Sequence, residues 1–148
     1  MSSLRHSAGF SLIEMILVVA MLSLLVSIGA PIFESFLVKN DLTLAGNALA
    51  VDLYRAQAQS RDASRDNSWG VHIQAGSITL FEGASYAARV TAFDEVYALA
   101  GTITTSGTTD YVFAKQTGLP DAAGSTTLTS TAGTVVTATV NAKGMVEH

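Results

Sequence analysis

From Phe10 to Phe33 the chain carries a single charged residue, Glu14, and Met15 to Phe33 holds no Asp, Glu, Lys, Arg or His. A run of this length meets the roughly 17–25 apolar residues that carry a helix through a bilayer. A carboxylate in such a span is costly, about 2.5–3.5 kcal/mol at mid-helix on insertion scales. The run itself offers Glu14 no basic partner. The nearest basic side chains, Arg5 and His6, lie on the far side of Gly9.

Cleavage after Gly9 would create that partner. Phe10 would then carry a new α-amino group, whose reference pKa of about 7.7–8.0 leaves it mostly protonated at neutral pH. Within one helix, residues 10 and 14 sit about one turn apart, roughly 6 Å of rise. A neighbouring copy shifted along its axis would bring its amine to this carboxylate. Glu14 therefore reads as an assembly register in which opposite charges meet in lipid or in a dry filament core.

The segment Gly9-Phe10-Ser11-Leu12-Ile13-Glu14, preceded by a short basic leader and followed by a long apolar run, resembles the type III signal of bacterial type IV pilins and type II secretion pseudopilins. Pro31 falls where that family commonly has a helix-weakening proline. The resemblance implies cleavage after Gly9 by a prepilin peptidase, N-methylation of Phe10, and helical stacking with Glu14 facing a neighbour's N-terminus. Two other readings of the N-terminus stay open. A secretory signal peptide has a basic start and an apolar core, with Ser27-Ile28-Gly29 as its cleavage site, although Glu14 interrupts that core and Pro31 follows the cut. A plain membrane anchor explains the length but neither Gly9 nor Glu14.

The rest of the chain bounds the function further. It contains no cysteine, so it has no disulfide staple and no thiolate metal site. Its net charge is −4, and loss of the leader with Arg5 makes it one unit more negative. That argues against general nucleic-acid binding, which needs a basic footprint. Arg5 before the apolar run places the leader on the cytoplasmic side and the body outside the cytoplasm.

The expected fold class is α+β: a long N-terminal helix, transmembrane in its first half and amphipathic in its second, packed on an antiparallel β domain. The boundaries are a leader over 1–9, a transmembrane and filament-core helix over 10–33, an amphipathic helix over 34–67 and a β domain over 68–148. Pro31 removes the helical donor for the Ser27 carbonyl, and Gly29 weakens the same turn. This gives either a segment that melts on leaving the membrane or a simple kink; the resemblance favours melting. Val38, Leu42, Ala45, Leu49, Leu53 and Ala56 fall on one helical face, expected to pack on the β domain. Leu37, Leu44, Ala48 and Val51 form a second stripe that either meets neighbouring subunits or is covered by a broad domain contact. Arg61, Asp62, Arg65 and Asp66 read as a solvated helix end, with Asp62 and Arg65 spaced to pair. Asn67 and Ser68 are expected to end the helix.

Beyond Trp69 the pattern alternates. Hairpins are expected at 70–73 with 77–81 about Ala75-Gly76, at 101–105 with 111–114 about Ser106-Gly107, and at 126–130 with 135–140 about Ala132-Gly133. Residues 83–95 read as an irregular connection with a short strand from Arg89 to Phe93, Gly118-Leu119-Pro120-Asp121 as a turn, and Lys143-Gly144 as a last turn before Met145-Val146. Trp69 is expected to plug the core where helix meets sheet, beside Leu42, Leu49 and Leu53. A helix end bearing arginine, Trp69-Gly70 opening a hairpin, Phe113 before Gly118-Leu119-Pro120, and a closing Gly144 resemble the GspH/FimT group of minor pilins and pseudopilins. Some of that group bind DNA through a basic C-terminal tail; here residues 141–148 hold one lysine, Lys143.

No catalytic constellation is present. His6, His72 and His148 are too scattered for a metal triad, and His72 reads as a satisfied strand residue. Asp94 and Glu95 are adjacent and would point to opposite faces of a strand. Asp110 and Asp121 lack the dense acidic run of a calcium loop, and no serine sits in a nucleophile elbow. The expected role is structural: no enzyme, no cofactor, no metal. The resemblance implies a subunit of a type IV pilus or secretion pseudopilus, of minor type at the filament tip, with a major pilin and a DNA-binding or adhesive minor pilin as alternatives. The implied partners are other pilin subunits, a prepilin peptidase, an inner-membrane assembly platform and the lipid bilayer.

Overall fold

The computed structural model describes residues 9–148, with backbone alone at 28–32. The leader residues before Gly9 and the Pro31 side chain lie outside the described set. One helix, α1 (Leu12–Arg61), precedes eight strands. The chain divides into two units, one running to Phe36 and the other from Leu37 to His148.

In the first unit the helical backbone carries a run of exposed apolar side chains, among them Leu12, Ile16, Val19 and Leu25. The hydroxyls of Ser23 and Ser27 donate back to the carbonyls of Ala20 and Leu24 at 2.8 and 2.9 Å, which satisfies them without a partner helix. A membrane span was expected over 10–33. No helix among the described residues is long and apolar enough to cross a membrane. The helical backbone runs through position 31 without a break.

In the second unit the helix continues from Leu37 and stops at Arg61, earlier than expected from the sequence. Asp62 N–H still reaches the Ala58 carbonyl at 3.0 Å, but Ala63 N–H turns to Ser60 at 3.1 Å. Ala63 then adopts left-handed backbone, φ 47°, which ends a helix as a glycine commonly does. A short 3-10 turn, Ser64–Asp66, follows. Arg65 points away from Asp62 and sits 3.6 Å over the Phe93 ring, with Nε 3.7 Å from Glu82. The expected Asp62–Arg65 pair is replaced by these contacts.

Two antiparallel sheets complete this unit. The first has the order β3 (Glu95–Ala98), β2 (Ser77–Glu82), β1 (Trp69–Gln74), β5 (Asp110–Phe113). The second has the order β4 (Ile103–Gly107), β6 (Gly124–Ser130), β7 (Val135–Val140), β8 (Val146–Glu147). The β1–β2 hairpin turns at Ala75-Gly76, with Gln74 opposite Ser77 and Gly76 at φ 88°. The β6–β7 hairpin likewise closes about Gly133 at φ 78°. The hairpin expected between 101–105 and 111–114 does not form. Instead β4 pairs with β6, and β5 pairs with β1. The chain changes sheets at Gly107, whose φ is 93° and whose missing Cβ would run into the Ser125 carbonyl. Alternation within each strand is correct, but it says nothing about which strand is the neighbour. The strand expected at Arg89 to Phe93 is also displaced: 3-10 turns occupy Tyr86–Ala88 and Thr91–Phe93, and β3 begins at Glu95.

Both sheets close on one face of α1. Leu42, Ala45, Leu49, Leu53 and Ala56 are buried with Val71, Ile78, Leu80, Tyr111 and Phe113 of the first sheet and Leu128, Ala138 and Val140 of the second. Gly46 allows the second sheet to approach: a Cβ there would lie 2.7 Å from Val136 Cγ1. Val38 is half-buried at the start of that face. Leu37, Leu44 and Val51 remain 45%, 50% and 53% exposed.

Candidate functional site

The N-terminal segment is built around Ser11. Its Oγ accepts the Glu14 N–H at 3.3 Å, and its carbonyl receives Glu14 N–H at 3.1 Å and Met15 N–H at 3.2 Å. Ser11 is thus the residue before the first helical position, capping α1 through one of its orphan donors. The spacing Ser11-Leu12-Ile13-Glu14 matches the S-x-x-E capping pattern, a signal that was legible in the sequence beside the charge argument. A carboxylate in the first turn also complements the positive end of the helix dipole.

Gly9 precedes the helix in exposed, irregular backbone, and a Cβ there would meet nothing within 4 Å. Phe10 is 80% exposed. The bond between them is therefore outside the helical hydrogen-bond ladder and open to an enzyme. Glu14 is exposed and has no ion-pair partner among the described residues.

The remaining sequence-singled residues sit in the second unit. Trp69 is 4% exposed. Its backbone N–H donates to Ser60 Oγ at 2.9 Å and its ring Nε1 to the Ser64 carbonyl at 3.2 Å. It locks the helix end to β1. Gly70 must lack a side chain, because a Cβ would lie 2.6 Å from Phe81 Cζ and 2.7 Å from the Tyr111 carbonyl. Gln57 of α1 donates to the carbonyls of Gly144 at 2.8 Å and Gly118 at 3.2 Å, both buried. The two distant glycine turns are thereby tied to one helix side chain.

Several polar groups of the second unit are paired with one another. His72 Nδ1 lies 2.7 Å from Asp110 Oδ1, and its ring stacks on Tyr86 at 3.7 Å. Arg89 covers the same tyrosine at 3.8 Å and donates to Asp94 at 2.8 Å; that hydrogen bond raises the arginine's pKa. Lys115 pairs with Asp66. Arg55 forms a two-pronged bond with Glu95, at 2.6 and 2.8 Å, which holds the Glu95 carboxyl below its ordinary range and raises the guanidinium. Asp52, almost buried, is pushed up by desolvation, against the pull of Arg55 at 3.5 Å. Among the described residues no three His, Asp or Glu side chains come together as metal ligands.

With this geometry in place, comparison with known families is specific to the N-terminus. Residues 4–30 match the family model described as the prokaryotic N-terminal methylation motif. The chain thus carries a type IV pilin-like prepilin signal, of the kind found on type IV pilin and pseudopilin precursors. Such a signal implies processing by a prepilin peptidase and assembly with other pilin subunits. Neither a curated protein nor a solved structure matches the chain.

Proposed function

We propose that this protein is a structural subunit, not an enzyme, of a type IV pilus or a type II secretion pseudopilus. Its precursor is cut after Gly9 and methylated on the Phe10 amine. The observation that carries this reading is the methylation-motif match over residues 4–30, joined to an exposed Gly9–Phe10 bond and a carboxylate in the first helical turn. The apolar run from Phe10 to Phe33 anchors the subunit in the inner membrane as a single pass, with the β domain outside the cytoplasm. It then becomes part of the filament core, where Glu14 meets a neighbour's terminal amine. The segment at Pro31 is the place where this helix yields during extraction. Leu37, Leu44 and Val51 are exposed and apolar, which supports contacts between subunits along the second half of the helix.

Within that class the chain is a minor subunit of GspH/FimT type, acting in filament initiation or at the tip. Support comes from Trp69-Gly70 at the helix–sheet corner and from the Gly118 and Gly144 turns gathered by Gln57. A net charge of −4 argues against DNA capture.

The test is mass spectrometry of the chain co-produced with a prepilin peptidase. A product beginning at N-methylated Phe10 is expected, and a bulky residue at position 9 should leave the precursor intact. Filaments whose subunits retain the leader would overturn the reading. Copy number per filament separates minor from major: incorporation as the bulk subunit would refute the tip assignment.

A further inference from the structure

The first sheet has two edges, and they are treated differently. The outer side of β5 is covered by the segment that follows it. Phe113 bridges Pro120, Asp121 N–H donates to the Val112 carbonyl at 2.9 Å, and Ala114 N–H donates to the Leu119 carbonyl at 2.8 Å. A proline on the rim is a common way to blunt a sheet edge. The opposite edge, β3, pairs with β2 on one side only, and among the described residues no backbone group bonds to its outer side. It carries no lysine, proline or glycine. All four of its residues are exposed, with Val96 at 64% and Tyr97 at 36%. The corresponding edge of the second sheet, β4, offers threonine, serine and glycine beyond the buried Ile103. The exposed apolar edge is therefore particular to β3.

Beside this edge runs a groove. A hollow of about 360 Å³ lies between Ala48, Val51 and Asp52 of α1 and Glu95 and Tyr97 of β3. Tyr97 also borders a second hollow of about 290 Å³ that reaches Asp41. The register places Glu95 and Tyr97 opposite Leu80 and Ile78, and Val96 opposite Thr79. Glu95 and Tyr97 thus share the face that meets α1, and Val96 points to the other. The groove holds three carboxylates, Asp41, Asp52 and Glu95, against one cation, Arg55, which is already bonded to Glu95 and Asp52. Its balance is negative.

We propose that β3 is a docking edge for an extended segment of another protein in which basic and apolar residues alternate. The segment adds to the sheet as a fifth strand. Its basic side chains lie over Ala48 and Val51 with their alkyl stems and reach Asp41 and Asp52 with their charged ends. Its apolar side chains, on the other face, cover Val96. A second copy of this chain is the wrong occupant by charge: it is itself net negative, and its own β3 would offer Asp41 and Asp52 a carboxylate, Glu95, and no lysine or arginine. The inference concerns a surface apart from the N-terminus and does not rest on the filament reading.

The probe is a synthetic peptide of alternating lysine and valine, added to the full chain in phosphocholine micelles and followed by residue-resolved hydrogen exchange. Slowed exchange confined to β3 and the facing part of α1 is expected. Val96→Lys, at an exposed position, should weaken binding about tenfold or more, and Asp41→Asn should weaken it less while flattening its salt dependence. A glutamate–valine peptide should not bind. Equal binding by a lysine–valine peptide N-methylated on alternate amides would overturn the proposal, because backbone pairing would then contribute nothing. So would protection elsewhere on the chain, unchanged affinity in both variants, or β3-dependent self-association without peptide.

Discussion

Gln57 and Gly144 are far apart in sequence, yet the glutamine amide donates to the glycine carbonyl at 2.8 Å inside the protein. The same amide reaches Gly118 at 3.2 Å. Replacement by methionine keeps the volume and strands two buried carbonyls, a loss of about 1–3 kcal/mol. Gly144→Ala should be comparably harmful, since its φ of 80° and the Gln57 amide both oppose a side chain. Thermal melts of the two single variants and the double variant measure this. The double variant should lose less than the sum.

Ser11 and Glu14 permit cap and charge to be separated. Ser11→Ala removes the Oγ acceptor for the Glu14 N–H and should fray the start of α1, at a cost of about 0.5–2 kcal/mol. Glu14→Gln keeps that backbone bond and removes the charge. We expect the glutamine variant to be cleaved normally but incorporated poorly into filaments, and the alanine variant to be incorporated. The readout is the ratio of processed to filament-associated protein. The reverse pattern would mean that helix initiation, not charge pairing, is what Glu14 serves.

Asp52 and Glu95 should give opposite pH dependences. Burial raises the Asp52 pKa in the fold, so the folded state binds its proton more tightly than the unfolded chain does. Its ionisation costs stability as pH rises from about 3.9, the unfolded value, through the folded one. Asp52→Asn should therefore raise the melting temperature at neutral pH, with the gain vanishing in acid. Arg55 lowers the Glu95 pKa. That contribution is present above about 4.3 and is lost as pH falls through the folded value. Glu95→Gln should lower the melting temperature at neutral pH only, and modestly, because the pair is exposed.

Gly70→Ala tests the tight corner between β1, Phe81 and β5. The new methyl would meet the Tyr111 backbone carbonyl at 2.7 Å, which cannot rotate away as a flexible side chain would. A loss of about 1–3 kcal/mol is expected in denaturant unfolding. Val71→Ala, by contrast, should leave a cavity without displacing β5.

Much of this architecture was legible because the relevant signals are local. The face Leu42, Leu49, Leu53 repeats at helical spacing, and the Gly76 and Gly133 turns sit between alternating runs. Local spacing misleads where the deciding interaction is distant. Residues 101–114 alternate like a hairpin, yet Gly107 turns the chain across Ser125 into the other sheet. Helical spacing alone runs past Arg61, because the left-handed stop falls on Ala63, a residue that carries no stop signal. The bond that N-terminal processing would break was readable from Gly9, Phe10 and Glu14, and the Ser11 cap lay unread in the same motif. The open edge at β3 was hidden, because edges are a property of strand order, and that order depends on which strand lies beside β2.

Trp69 is the chain's single tryptophan, and its indole is shielded from water and bonded to Ser64 at the junction of α1 with β1. The protein therefore contains its own optical gauge. Emission should sit at short wavelength while that junction is intact and move to longer wavelength when it opens, and no label or neighbouring indole would blur the signal. Folding of the β domain can then be followed by fluorescence in micelles, in bilayers or in assembled fibres.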